Sequence, residues 1–178
     1  LVLDLDGVGS SKIKTNIPFF DHMLEQLTFH SEVNLELDAR GDVDIDFHHS
    51  VEDCGICLGK AFKEALRDKK GINRYGFFLL PMDDALIRVA LDFSGRSFLS
   101  WKVNFPTNRV GNFDLELVRE FFNAFSTNSG ATLHVEKLDG FNSHHISEAI
   151  FKTMGKSIKM AITKNKGMEI IPSTKGSL

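Results

Sequence analysis

From Leu1 to Leu5 apolar residues interleave with acidic ones before Gly7, which predicts a strand and a turn. Pro18 opens a helical period that runs to about His30. Val33, Leu35 and Leu37 then alternate with polar residues, and so do Val43, Ile45 and Phe47, predicting two further strands. From His49 a longer helical period carries Ile56, Phe62 and Leu66 to a charged stop at Asp68 to Lys70. Strands are expected at Tyr75 to Leu80, Leu86 to Phe93 and Phe98 to Val103, separated by Asp and Gly turns. A second pair of helices follows, Asp114 to about Phe125 and His144 to about Ile162, with a strand from Thr132 to Leu138 between them. The Pro-Ser-Thr-Lys-Gly segment at 172–176 reads as a loop.

The succession helix, strand, loop, helix occurs twice, and the sequence repeats with it. His48-His49-x-x-Glu52 returns as His144-His145-x-x-Glu148, a shift of 96 residues from 48 to 144, and Gly59-Lys60 returns as Gly155-Lys156 at the same shift. Upstream, His22 precedes Leu35 by the 13 residues that separate Glu120 from Leu133, so His22 and Glu120 are counterparts. Two similar α+β halves are expected, residues 1–82 and 83–178, related by a pseudo-twofold axis. Each should be a mostly antiparallel sheet with two helices on one face.

The repeated residues carry a definite chemistry. Imidazole nitrogen and carboxylate oxygen suit divalent ions, and an i, i+4 pair on one helix face can grip a single ion. His48 with Glu52 and His144 with Glu148 are such pairs. Adjacent histidines at a helix start point in different directions, so His49 and His145 are each expected to reach the ion anchored by the other half. The predicted sets are His144, Glu148, His49 and His22 for one ion and His48, Glu52, His145 and Glu120 for the other. Glu52 and Glu148 are also the candidates for moving protons.

A lone His-His pair is ordinarily a solvated surface pair, and the repetition with matched glutamates is what lifts these above that reading. His134 lacks that support and reads as a sheet residue. His30 closes the first helix, where a charge at the C-terminus is its plain role. Cys54 and Cys57 spell C-x-x-C without a second such pair, so they read as two buried thiols in a reducing compartment rather than half of a zinc site.

Composition narrows the partners. With 21 cationic and 24 acidic side chains, a formal net charge of −3, the chain offers no basic face for nucleic acid, and RNA-binding is disfavoured. No apolar run approaches the roughly 20 residues of a membrane span, and no charged-then-apolar leader precedes the first strand, so a cytoplasmic protein is expected. Leu1 falls inside an apolar alternation, and further residues are expected before it.

Two family resemblances arise. Leu3-Asp4-Leu5-Asp6-Gly7-Val8 is similar to the aspartyl nucleophile loop of the haloacid-dehalogenase phosphatases, with Asp83 and Asp84 as the later acidic pair, but the following strands read as antiparallel and the duplicated histidines stay unexplained. The other match spans nearly the whole chain. Phe20-Asp21-His22-Met23-Leu24, Asp46 to Asp53, Arg74-Tyr75-Gly76, Pro81-Met82-Asp83-Asp84, Asp92-Phe93-Ser94-Gly95-Arg96, Ser143-His144-His145 with Glu148-Ala149, and Pro172 to Gly176 together resemble the imidazoleglycerol-phosphate dehydratase family.

That resemblance implies a duplicated fold like the second domain of ribosomal protein S5, assembled into a homo-oligomer of 24 subunits with two Mn2+ per active site at subunit contacts. It implies dehydration of D-erythro-imidazole glycerol phosphate to imidazole acetol phosphate in histidine biosynthesis, with the imidazole ring as the electron sink. Arg74, Arg96, Lys152, Ser173 and Lys175 fall on the motif positions that surround the substrate phosphate, and His30 is carried as a further substrate-binding candidate. A histidine stands in the relatives at the place of Glu120, and the family's first strand carries a substrate-contacting glutamate that would precede Leu1. A non-catalytic metal-binding shell is the alternative from a different class.

Overall fold

The computed structural model describes residues 1–165, 167, 170–176 and 178. A short strand β1 (Val2–Asp4) and β2 (Ser11–Lys14) flank β3 (Asn34–Asp38) in the order β1-β3-β2, with β1 antiparallel and β2 parallel to β3. The parallel pair requires a crossover, and α1 (Pro18–Ser31) supplies it. Pro18 suits the first helical turn, where its missing N–H has no partner to lose. The Asp21 carboxylate accepts from the Thr15 backbone at 2.8 Å and fixes the chain's entry into that turn. After β3 comes α2 (His48–Leu66).

The second half repeats this topology and adds to it. β4 (Tyr75–Met82), β5 (Ala85–Asp92), β6 (Phe98–Lys102) and β9 (Thr132–Asp139) form a sheet in the order β4-β5-β9-β6, with β9 antiparallel to β5 and parallel to β6. Thus β5-β9-β6 mirrors β1-β3-β2, and α3 (Glu116–Ser129) is the crossover that corresponds to α1. A small hairpin, β7 (Arg109–Val110) with β8 (Phe113–Asp114), is inserted before α3, and α4 (Ser143–Ile162) closes the chain as the counterpart of α2. The α+β architecture expected from the repeat is present. Tyr75–Met82, grouped with the first half by sequence order, hydrogen-bonds along its whole length to β5 in the second sheet.

The halves are joined through their helices: α1 packs on α4, and α2 on α3. The repeated glycines make this possible. A Cβ on Gly59 would stand 2.8 Å from the Phe125 carbonyl oxygen in α3, and one on Gly155 would stand 2.7 Å from the Leu27 carbonyl oxygen in α1, closer than van der Waals contact allows. Phe125 and Leu27 are themselves 98 residues apart, the spacing of Glu120 and His22, so the close approaches obey the same pseudo-twofold. Between the helices and sheets lies a core rich in fully buried phenylalanine, including Phe20, Phe62, Phe121, Phe122, Phe125 and Phe151. Edge-on pairs at ring distances of 5.4 Å recur, Phe20 with Phe121 and Phe62 with Phe125. Each such side chain contributes roughly 1.5–3 kcal/mol by leaving water.

Two expectations are corrected. Val43 to Phe47 is a turn and not a strand: the Ile45 N–H bonds the Asp42 carbonyl at 2.9 Å, and Ile45 is 76% exposed. The alternation there arises from acidic residues that serve the start of α2, where Asp46 accepts from the His48 N–H at 2.8 Å. Cys57 is exposed, on the outer side of α2, whereas Cys54 is buried, and its burial pushes the thiol up to about 12. No helix among the described residues is long and apolar enough to cross a membrane.

Candidate functional site

The N-terminus of α4 is built around its two histidines. Asn142 caps the helix, its side-chain oxygen accepting from the N–H groups of His144 at 2.9 Å and His145 at 3.3 Å. Asp46 does the corresponding work for His48 at the start of α2, at the same 96-residue shift. One helical turn beyond His144, Glu148 shares its face. The side chains of His144 and Glu148 meet at 3.2 Å between Nε2 and Oε2, and His22 from α1 brings its Nε2 to 3.4 Å from the same oxygen. Ligand atoms of these three residues all lie within 4.8 Å of one another, a geometry that a divalent ion can bridge, and among the described residues this is the one such group.

Glu148 is 8% exposed. Burial pushes its carboxyl up, but the Lys152 ammonium at 2.7 Å and the His22 imidazole outweigh that effect and hold it below the ordinary range. The carboxylate therefore stays ionised and can act as a ligand. Lys152, also a candidate for the substrate phosphate, is the cation that pairs with Glu148.

The second histidine of each pair is held by an aspartate. His145 Nδ1 lies 2.6 Å from Asp84 Oδ1, and His49 Nδ1 lies 2.8 Å from Asp42 Oδ2. A carboxylate only accepts, so each ring donates from Nδ1 and presents Nε2 as the lone-pair nitrogen. Asp84 also accepts from the backbone N–H groups of Asn142 at 2.8 Å and Phe141 at 2.7 Å, which together with His145 hold its carboxyl far below the ordinary range. The Asp42 hydrogen bond raises the His49 pKa. Neither aspartate carries a repeat signature, and sequence reading missed both as histidine-orienting groups. Asp83-Asp84 stood out only as a match to the phosphatase motif.

Within one chain the structure joins His22, His144 and Glu148 but does not bring His49 to them. His48, Glu52, His145 and Glu120 likewise form no cluster among the described residues. Glu120 instead receives Arg119 Nη1 at 3.0 Å, and His145 Nε2 stands 3.7 Å from Asp83 Oδ2. His30 is half-buried with Nδ1 unpartnered, and burial, then Lys156 and Lys152, lower its pKa. Asp6 pairs with Lys164 at 2.8 Å, Asp4 accepts from the Asn34 side chain at 3.2 Å, and β1 runs antiparallel to its neighbour, so the phosphatase arrangement of a nucleophile on a parallel sheet is not formed.

The remaining cationic candidates gather at the other end of α2. Arg74 is buried and grips Asp92 through Nε at 2.7 Å and Nη2 at 3.0 Å, while Nη1 donates to the Pro172 carbonyl at 2.9 Å. It thereby ties down the loop that carries Ser173, whose Oγ accepts from the Lys175 N–H at 3.2 Å. Arg96 and Lys175 line a cavity of about 440 Å³ together with Lys63, Arg67, Lys69, Ser94 and Gly95. Five cationic side chains around one cavity suit an anion.

Comparison with known proteins identifies the family. The sequence model described as imidazoleglycerol-phosphate dehydratase matches residues 15–158. A protein of that name from Cereibacter sphaeroides is 54% identical over 100% of this chain and 92% of its own length, and one from Ruegeria pomeroyi is 55% identical over 99% and 91%. The crystal structure of imidazoleglycerol-phosphate dehydratase from Staphylococcus aureus superposes with a TM-score of 0.86 at 41% identity, covering 92% of each chain. That of the Pyrococcus furiosus enzyme, in complex with (S)-C348, gives 0.82 at 32% identity over 99% of this chain and 94% of that one. The chain belongs to the imidazoleglycerol-phosphate dehydratase family, the hydro-lyases of histidine biosynthesis.

Proposed function

We propose that this chain dehydrates D-erythro-imidazole glycerol phosphate to imidazole acetol phosphate in the cytoplasm, using two Mn2+ per active site bound between subunits of a homo-oligomer of 24 chains. The observation that carries the metal-dependent reading is the convergence of the His22 and His144 Nε2 atoms on one ionised Glu148 oxygen. Two imidazoles and a carboxylate fit a divalent ion of borderline to hard character.

His22, His144 and Glu148 of one chain with His49 of a neighbour would hold the first ion, and His48, Glu52 and Glu120 with His145 across the contact would hold the second. Donation of Nδ1–H to Asp42 and Asp84 leaves Nε2 of His49 and His145 suited to this bridging. Sharing between subunits is supported by the placement of the two histidine pairs at the starts of separate helices, whose ligand atoms form no common cluster among the described residues.

In the product the carbonyl occupies the middle carbon and a CH2 stands beside the ring, so the departing hydroxyl is the one on the ring-bearing carbon. Loss of the ring N–H proton lets ring electrons expel that hydroxide. Removal of the hydrogen from the next carbon returns an electron pair to the ring, whose nitrogen regains its proton, and leaves an enol, which takes up a proton on the carbon beside the ring as its hydroxyl gives one up to become the ketone. A divalent ion bound to the ring would favour its deprotonated form. Glu52 carries no hydrogen bond or ion pair among the described residues, whereas Glu148 is engaged by Lys152, His22 and His144, which favours Glu52 over Glu148 for taking or returning a proton. Arg96, Ser173 and Lys175 hold the phosphate end, with Arg74 fixing their loop through Pro172 and His30 and Lys152 near the reacting end.

The test is metal analysis and turnover of chelated protein before and after manganese is restored, with His49→Ala and His145→Ala beside the wild type. Both variants should bind less manganese and lose dehydration. A wild type that keeps its metal and shows no turnover would favour a metal-binding shell.

A further inference from the structure

Lys69 is an anomaly in the basic cavity. It follows α2 in the charged stretch Asp68 to Lys70 that ends the helical period, yet Lys69 is 7% exposed. Its backbone N–H bonds the Leu66 carbonyl at 2.8 Å, but among the described residues no hydrogen bond or ion pair engages its ammonium. Asp92, the acid that acts on it electrostatically, is held by both Nε and Nη2 of Arg74, and Asp68, its neighbour in sequence, pairs with Lys70 at 2.9 Å. Lys69 Nζ is aimed at the Ser94-Gly95-Arg96 turn, 3.8 Å from where a Cβ on Gly95 would stand. Burial lowers its pKa, Arg74 and Lys63 push the same way, and Asp92 opposes them.

Burying an ammonium without a counter-ion is unfavourable, because the charge gives up its hydration for nothing. The backbone is strained as well, since Arg67, Lys69 and Arg74 all have positive φ, at 48°, 59° and 70°. Cost concentrated at one buried cation in an open cavity is what a site for a departing and returning anion requires. We propose that Lys69 is a direct phosphate-binding residue of this enzyme: its ammonium is the buried partner of the substrate's phosphate dianion, which Arg96 and Lys175 close over from the exposed side. This rests on the dehydratase reading for the identity of the substrate, while the anion site itself rests on the cavity and on Lys69.

The probe is inorganic phosphate, titrated into the manganese-loaded full chain. Lys69→Met should weaken phosphate binding and raise KM for imidazole glycerol phosphate by about 10- to 100-fold, the value of one charged hydrogen bond, with manganese content unchanged. In phosphate-free buffer Lys69→Met should melt no lower than the wild type, because an unpaired buried charge is removed. Added phosphate should raise Tm of the wild type much more than that of the variant. Lys63→Met, at an exposed position of the same cavity, should change affinity far less. Equal phosphate stabilisation of the wild type and Lys69→Met would overturn the proposal, and so would a variant that melts well below the wild type without phosphate, since its ammonium would then be structural. A wild type inactive on the imidazole substrate would sink the dehydratase reading, yet the phosphate titration would still decide Lys69.

Discussion

His145 donates its Nδ1–H to Asp84 across 2.6 Å, although 61 residues separate the two in sequence. The same carboxylate collects the first N–H groups ahead of α4, so ring orientation and helix start are fixed by one side chain. Asp84→Asn keeps the shape but removes the charge, and one of its two side-chain positions becomes a donor facing a donor. Manganese affinity should fall by about 10- to 100-fold. A calorimetric metal titration that finds the wild-type affinity would remove Asp84 from this role.

Glu148 is the carboxylate on which both imidazoles converge through Oε2 and Lys152 through Oε1. Glu148→Gln should lower manganese per chain and reduce turnover by more than about 100-fold, because a neutral amide replaces an anionic ligand and removes the counter-charge of the half-buried Lys152. Metal analysis beside steady-state rates separates this from a fold defect, which circular dichroism would reveal.

The carboxyls of Glu148 and Asp84 both have lowered pKa values in the folded state. The unfolded chain therefore binds more protons than the folded one below the ordinary carboxylate range. The stability these groups contribute is present above about pH 4 and is lost as pH falls through their folded values. The melting temperature of chelated protein should fall progressively from about pH 5 downward, and less steeply in Asp84→Asn. Parallel curves for the two proteins would contradict the assignment.

Gly155→Ala would place a methyl group 2.7 Å from the Leu27 carbonyl oxygen, in backbone that cannot move without shifting α1. The gain in helix propensity, about 1 kcal/mol, opposes an overpacking cost of roughly 1–3 kcal/mol. A net loss of stability is expected on denaturant unfolding, with Gly59→Ala behaving alike against Phe125. Manganese binding should suffer too for Gly155→Ala, since His22 and His144 stand on the two helices that would be pushed apart.

Much of this was legible in the chain itself. The duplicated His-His-x-x-Glu segments, their shared offset and the flanking glycines follow from sequence because a repeat preserves local spacing and helix periodicity converts spacing into a common face. His144 with Glu148 needed nothing more. The Val43 to Phe47 alternation misled because its period came from acidic residues around a turn, and Cys57 because one helix face cannot be told from another by composition where small residues lie on both sides.

Tertiary structure decided the rest. Which histidines meet depends on α1 lying against α4, so His22 joins His144 and Glu148 while His49 and Glu120 do not reach their expected partners within the chain. Asp42 and Asp84 became orienting groups, and Lys69 a buried ammonium, only through contacts and loop geometry with no periodic trace. The sequence by itself determined the donor types and their local placement, because these are short-range consequences of backbone geometry. Which donors share one point in space is set by how helices pack, and packing is a property of surfaces assembled from distant parts of the chain.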